Sequence, residues 1–187
     1  MGQDLVRRAM AGDHGAFSEL ARASIGRLYA TARLILRDDQ RAEDATQEAL
    51  VAAWRDLSAL RDPARFDAWL NRILVRACYQ EARRGRRRWS IESEIRESDI
   101  GTGSDPDPAI DLADRDQLER GFRRLATDQR AVIVLHYYLG YTLNEIGETL
   151  GVPPGTVRSR LHRATGALRA ALDADARSST SNERRLA

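Results

Sequence analysis

One stretch limits the possible folds more than any other. Residues 142–164 read TLNEIGETLGVPPGTVRSRLHRA. Thr142 and Glu145 have the spacing of a capping box, which starts a helix at Leu143. Leu143, Ile146 and Leu150 stand at i, i+3 and i+7, giving that helix one buried face. Gly151 suits the left-handed residue that closes a helix. Pro153-Pro154 cannot extend it, because a residue before proline is pushed toward extended geometry. Thr156 then stands where a first-turn side chain caps the next helix. Winding that helix at about 100° per residue puts Val157, Leu161, Ala164, Leu168 and Leu172 on one stripe. The opposite face carries Ser159, His162 and Arg163, with Arg158 and Arg160 on its flanks. A short helix, a tight turn and a second helix with a basic, exposed N-terminal half make a helix-turn-helix. In that arrangement the second helix enters the major groove, where Arg takes guanine O6 and N7 together. A solvated surface helix competes for the same charges. The capping box, the Gly-Pro-Pro-Gly break and the basic second helix together favour the groove.

The rest of the chain also reads as helix. Val, Ile and Thr never alternate with polar residues long enough to make a strand. Helices are expected over 4–11, 16–36 (with Asp13 as cap), 42–57, 66–84, 112–125, 128–139, 142–150 and 156–172. Phe17, Leu20, Ile25, Leu28 and Ile35 anchor the second of these. Ala45, Ala49, Ala52 and Ala53 let neighbours approach the third. Phe66, Trp69, Leu70, Ile73, Leu74, Ala77 and Cys78 mark the buried side of the fourth.

Charge divides the chain. RRGRRR at 83–88 packs five arginines around one glycine, whereas residues 89–114 hold eight acidic residues and one Arg. GTGSDPDP at 101–108 is turn and linker chemistry. The expected fold is therefore all-α: two small helical domains, 1–88 and 112–173, joined by a flexible acidic linker, 89–111. The polar tail, 174–187, is expected to be disordered. The net charge of +2 conceals this blocking. All 30 basic residues are Arg, each with a planar donor fork suited to phosphate and guanine.

Several function classes fall away. The N-terminus has no apolar core of signal-peptide length, and no stretch approaches a membrane span. A lone Cys78 fits a reducing compartment, so a soluble cytoplasmic protein without membrane insertion is expected. His14, His136 and His162 lack paired metal spacing, and neither a P-loop nor a G-x-S-x-G is present. No catalytic residue, metal, cofactor or small-molecule substrate is expected.

LNEIGETLGVPPGTVRSRLHRA resembles the DNA-binding region of bacterial sigma-70-type factors, specifically the extracytoplasmic-function (ECF) subfamily. The N-terminal half agrees independently. DDQRAEDATQEALVAAW (38–54) resembles that subfamily's core-polymerase-binding helix, and FDAWLNRILVRACYQEARR (66–84) its promoter-melting, −10-reading helix. The resemblance covers nearly the whole chain, in order and spacing. It implies a factor that binds core RNA polymerase, directs it to promoter DNA and helps open the duplex.

The resemblance also assigns residues. Asp44, Gln47 and Glu48 are expected to dock on the polymerase, although carboxylates at a helix start also suit the helix dipole. Arg61, Phe66, Trp69, Arg72, Arg76, Arg83 and Arg84 are expected at the −10 strand, which must be held single-stranded by stacking and backbone neutralisation. Trp69 also fits a core position. Arg158, Ser159, His162 and Arg163 are expected to read the −35 element, with His136 near the backbone. Arg76 stands where the family usually has Asn, and Gln80 where it has an acid, so its −10 preference does not transfer. The family also admits an anti-sigma factor as partner. A self-sufficient helix-turn-helix repressor or activator is the alternative, and an adaptor that never touches DNA a further one.

Overall fold

The computed structural model describes the backbone of residues 2–93 and 112–186, and the side chains of residues 2–85 and 118–173. Every regular element among them is helical. The first half is α1 (Gln3–Met10), α2 (His14–Leu36), α3 (Asp39–Asp56) and α4 (Phe66–Ser93). Two short 3-10 turns, Leu57–Ala59 and Pro63–Arg65, carry the chain from α3 to α4. The second half is α5 (Leu112–Arg123), α6 (Thr127–Ile133), a π-turn over Val134–Tyr138, α7 (Leu143–Leu150) and α8 (Pro154–Leu186).

Local chemistry sets many of these boundaries. Asp13 caps α2 by accepting from the Ala16 amide at 3.0 Å. That bond, with the Arg8 guanidinium, holds the Asp13 carboxyl below its ordinary range. Asp38 caps α3 in the same way, accepting from the Arg41 amide at 2.9 Å. Between these caps α2 closes on Arg37, a non-glycine residue in the left-handed region at φ 58°.

The N-terminal core is built from large aliphatic side chains met by alanines. Leu20, Leu28, Ile35, Leu70, Leu74 and Val75 are essentially buried, against Ala42, Ala45, Ala49 and Ala53 of α3. The small residues let α3 lie close to α2 and α4. Each buried Leu or Ile contributes roughly 1.5–3 kcal/mol of burial free energy. Cys78 lies in this core, fully buried, and burial pushes its thiol up to about 12. Ile25, expected as an anchor, is instead 48% exposed. It stands one heptad before Ala32, at the edge of a buried face centred on Ser24, Leu28, Thr31 and Ile35.

Two helices outrun the expectation. The composition change at 83–88 suggests an end to α4, yet the helix continues to Ser93. Arg is a good helix former, so a charge run need not stop a helix. Gly85 within it is covered by the Arg41 guanidinium: a Cβ there would meet Arg41 Nη1 at 2.2 Å. Likewise α8 runs on to Leu186, through the segment read as a polar tail. LRAALDADAR (168–177) is rich in strong helix formers and holds no Gly or Pro. The acidic GTGSDPDP segment, with the rest of 94–111, lies outside the described residues.

The two halves share one hydrophobic cluster, which joins Ile35, Leu36 and Leu74 to Val132, Leu135 and Ile146, and polar bonds also cross between them. Asn71 of α4, only 2% exposed, donates to the Tyr141 hydroxyl at 2.7 Å. Arg37 pairs with Glu119 of α5. Arg130 of α6 reaches the Ile35 carbonyl at the end of α2 and also donates to the Leu125 carbonyl at 2.8 Å. Burial and the nearby Arg37 charge lower its guanidinium to about 10.

Candidate nucleic-acid interface

The helix-turn-helix is assembled by short-range bonds. Thr142 Oγ1 accepts from the Glu145 amide at 3.3 Å, and Glu145 Oε2 accepts from the Thr142 amide at 2.8 Å. The Thr142 amide and then its hydroxyl, both donating to Oε2, hold the Glu145 carboxyl below its ordinary range. Gly151 closes α7 at φ 68°, as its position requires. The Val152 amide then donates to the Gly147 carbonyl at 3.0 Å, folding the turn against α7. Gly147 makes that fold-back possible: a Cβ there would stand 2.8 Å from the Val152 carbonyl oxygen. The sequence reading missed it, although a glycine four residues before a helix-closing glycine was the available signal.

The second helix starts two residues earlier than the Thr156 cap implies. Pro154 is its first residue, the position where a missing N–H costs nothing. Val157 and Ala164 are fully buried, and Leu161 is half-buried. Arg158, Ser159, His162 and Arg163 are exposed on the other side. Two of the four are tied back in this structure: Ser159 Oγ donates to the Thr156 carbonyl at 3.0 Å, and Arg163 Nε to the Ser159 carbonyl at 3.3 Å. Both are weak local bonds to an exposed backbone, which a base edge or phosphate can replace. Arg158 makes no such local bond among those described. His136 Nδ1 meets the Tyr141 carbonyl at 2.9 Å, so that nitrogen donates and the ring is fixed at the turn before α7.

The residues expected at the −10 strand divide by burial. Arg61, Trp69 and Arg72 line a cleft of about 290 Å³, together with Leu60, Arg65 and the α7 residues Glu145 and Glu148. Arg65 faces Glu148 at 3.9 Å across it. Phe66 does not belong to this surface. It is 3% exposed and packs inward, its ring 6.0 Å from that of Trp69. The first apolar residue of α4 is spent on the core, and the next turn's Trp69 reaches the cleft instead. Arg76 and Arg83 are exposed further along α4. Arg84 is occupied: its Nη1 donates to Glu48 Oε2 of α3 at 3.0 Å and to Glu81 of its own helix. Those bonds, from Glu81 first, favour its charged form.

A third surface lies on α3. Asp44 and Gln47 are exposed and Glu48 is half-exposed. Val51, one turn on, is 65% exposed and continues the same stripe. The spacing 44, 47, 48, 51 marks one helix face, so i, i+3, i+4, i+7 counting was enough to add Val51. Trp54 follows, 36% exposed, with His14 and Phe17 rings at 4.7 and 4.9 Å. Exposed Val51 and Trp54 beside the Glu48 carboxylate suit a protein partner better than a nucleic acid.

Among the described residues, no helix is long and apolar enough to cross a membrane. Residues 20–88 match the family model for sigma-70 region 2, and residues 115–168 that for sigma-70 region 4. The ECF RNA polymerase sigma factor SigM of Mycobacterium tuberculosis is 33% identical over 165 residues, covering 88% of this chain and 81% of the relative. SigW of Bacillus subtilis, another ECF RNA polymerase sigma factor, is 27% identical, covering 88% of this chain and 92% of the relative. The solved structure of CnrH in complex with the cytosolic domain of CnrY aligns with a TM-score of 0.64 at 28% identity, over 92% of this chain and 97% of that one. The sigma factor RpoE, solved with the anti-sigma factor NepR from Bartonella quintana, has the same fold, with a TM-score of 0.67 at 24% identity, over 85% of this chain and 98% of that one.

Proposed function

The chain belongs to the ECF branch of the sigma-70 family, and we propose from this that it binds core RNA polymerase, directs it to specific promoters and assists DNA opening. The observation that carries the reading is the presence in one chain of two unlike surfaces. One is the exposed Arg158, Ser159, His162 and Arg163 face of α8; the other is the acidic and apolar α3 face. A stand-alone repressor or activator needs the first and has no use for the second.

In this reading residues 1–88 bind the polymerase and hold the −10 strand, residues 112–173 read the −35 element, and 89–111 connect them. Asp44, Gln47 and Glu48 contact the polymerase, with Val51 filling an apolar notch between them. Arg61, Trp69 and Arg72 engage the open strand at the cleft, stacking a base on the indole and neutralising its phosphates. Arg76, Arg83 and Arg84 follow the backbone along α4. Nucleotide addition is the polymerase's chemistry, and this chain contributes recognition and strand separation in the cytoplasm. An anti-sigma factor is the further partner this reading admits, since the similar CnrH was solved in complex with the cytosolic domain of CnrY.

Pull-down with core polymerase followed by promoter-directed transcription in vitro tests the reading. Retention and promoter-specific transcripts are expected; absence of core binding overturns it. Replacing Arg158 and Arg163 by Ala should cost roughly 1–3 kcal/mol of promoter affinity for each that reads a base. Promoter binding that survives both changes intact removes the recognition-helix assignment.

A further inference from the structure

Arg84 sits at the point where the docking face of α3 meets the basic end of α4. Its Nη1 serves two carboxylates, so both acids share one nitrogen of a five-donor fork. The two acids differ in burial. The Glu81 side chain is 8% exposed, whereas that of Glu48 is 37% exposed. Leaving Glu81 without its cation would strand a buried charge, so it is the fixed anchor. Glu48 is on the wet side of a pair whose arginine is 55% exposed, and such pairs change equilibrium constants by roughly fivefold at most. A stronger partner for Glu48 therefore breaks it readily.

Resting on the assignment of Glu48 to the polymerase face and Arg84 to the DNA path, we infer that Glu48 is a positioning residue that holds Arg84 away from DNA until the polymerase engages its carboxylate. Free in solution, Glu48 holds Arg84 through Nη1, and its carboxylate competes with a phosphate for the guanidinium charge. A basic group of the polymerase that pairs with Glu48 removes that competitor. Arg84 stays on Glu81 through Nη1, and the rest of its fork turns to the backbone of the open strand. The three side chains thus make DNA affinity conditional on core binding, with no movement of either helix.

The test uses the full-length chain and a fluorescein-labelled single-stranded oligonucleotide, read by fluorescence anisotropy at low salt. Glu48→Gln should raise the affinity of the free chain roughly two- to fivefold. Glu43→Gln removes an equal charge from an exposed α3 position and sets the gain that follows from net charge alone. The excess of the first over the second should vanish in an Arg84→Gln background. If Arg84→Gln unfolds because Glu81 is stranded, Arg84→Gln combined with Glu81→Gln removes both charges and serves instead. Adding saturating core polymerase should shrink the gain, since a docked Glu48 no longer competes. Equal gains from Glu48→Gln and Glu43→Gln, an excess that persists without Arg84, or a gain unchanged by core polymerase would each overturn the inference. A different pattern marks failure of the assignment beneath it: wild-type chain that does not bind core polymerase, or an Arg84→Gln holoenzyme that binds the oligonucleotide as wild type does.

Discussion

The two halves reach stability by different routes. α2, α3 and α4 are long, and large aliphatic side chains on two of them press against a row of alanines on the third. α6 and α7 have seven and eight residues, too short to persist alone in water. They are held by caps and turns, and by Arg130 knitting the end of α5 to α6 through the Leu125 carbonyl. The first half depends on packing volume. The second adds to its own buried Val132, Leu135, Ile146 and Val157 a few positions where one atom must be in the right place. The α8 side chains proposed to read DNA are aimed by those positions, so small errors there should cost aim before they cost fold.

Tryptophan fluorescence is weighted to the first half, because Trp54, Trp69 and Trp89 all precede α5 and only Trp69 is known to border α7, while circular dichroism reads both. Leu74→Ala, which empties a fully buried site in the first half, should cost roughly 2–5 kcal/mol and shift the fluorescence transition most. A Leu74→Ala chain whose fluorescence midpoint is unchanged would mean that this core does not limit stability. Gly147→Ala should cost roughly 1–3 kcal/mol, because its Cβ meets a backbone oxygen that cannot rotate away. Its effect should fall on promoter binding and on circular dichroism, with the fluorescence midpoint held. Equal shifts in both signals would show that the halves unfold as one body, and the contrast drawn here would fail.

The capping box supplies the smaller effects. Thr142→Ala should cost about 1 kcal/mol at neutral pH, measured by thermal denaturation. Its cost should also depend on acid. Glu145 is held below its ordinary pKa in the folded chain, so its contribution is complete above the unfolded carboxylate value. It is lost as pH falls through the lower, folded value. The difference in Tm between wild type and Thr142→Ala should therefore narrow in acid; a constant difference would assign the cap to the hydroxyl alone.

This contrast also explains what could be read from the sequence. Thr142, Glu145, Gly151 and the two prolines act within a few residues of one another, so their pattern on the chain is their pattern in space. Asp44, Gln47 and Glu48 came from the family resemblance, and their spacing then put them on one helix face, since helical phase is local. Arg130, Arg37 and Asn71 were not legible in this way. Their partners are Ile35, Glu119 and Tyr141, and the bonds of Arg130 and Asn71 span 95 and 70 residues. Nothing on either side of such a pair announces the other. The acids Glu145 and Glu148 at the cleft were missed for the same reason. Phe66 was given two places, the buried side of α4 and the −10 strand; its 3% exposure agrees with the first, and Trp69, three residues on, lines the cleft. The length of α4 was misjudged because a charge run reads as an ending, whereas arginine side chains leave the helical backbone intact.

Cys78 gives the first half a clock. It is the only thiol in the chain, buried at the centre of the long-helix core, and burial both hides it and keeps it protonated. An alkylating reagent reaches it only when that core opens, so its labelling rate counts openings of α2, α3 and α4. The second half has no cysteine and is silent in that measurement. The time a polymerase-bound factor spends with its first half closed can thus be read without adding any probe to the protein.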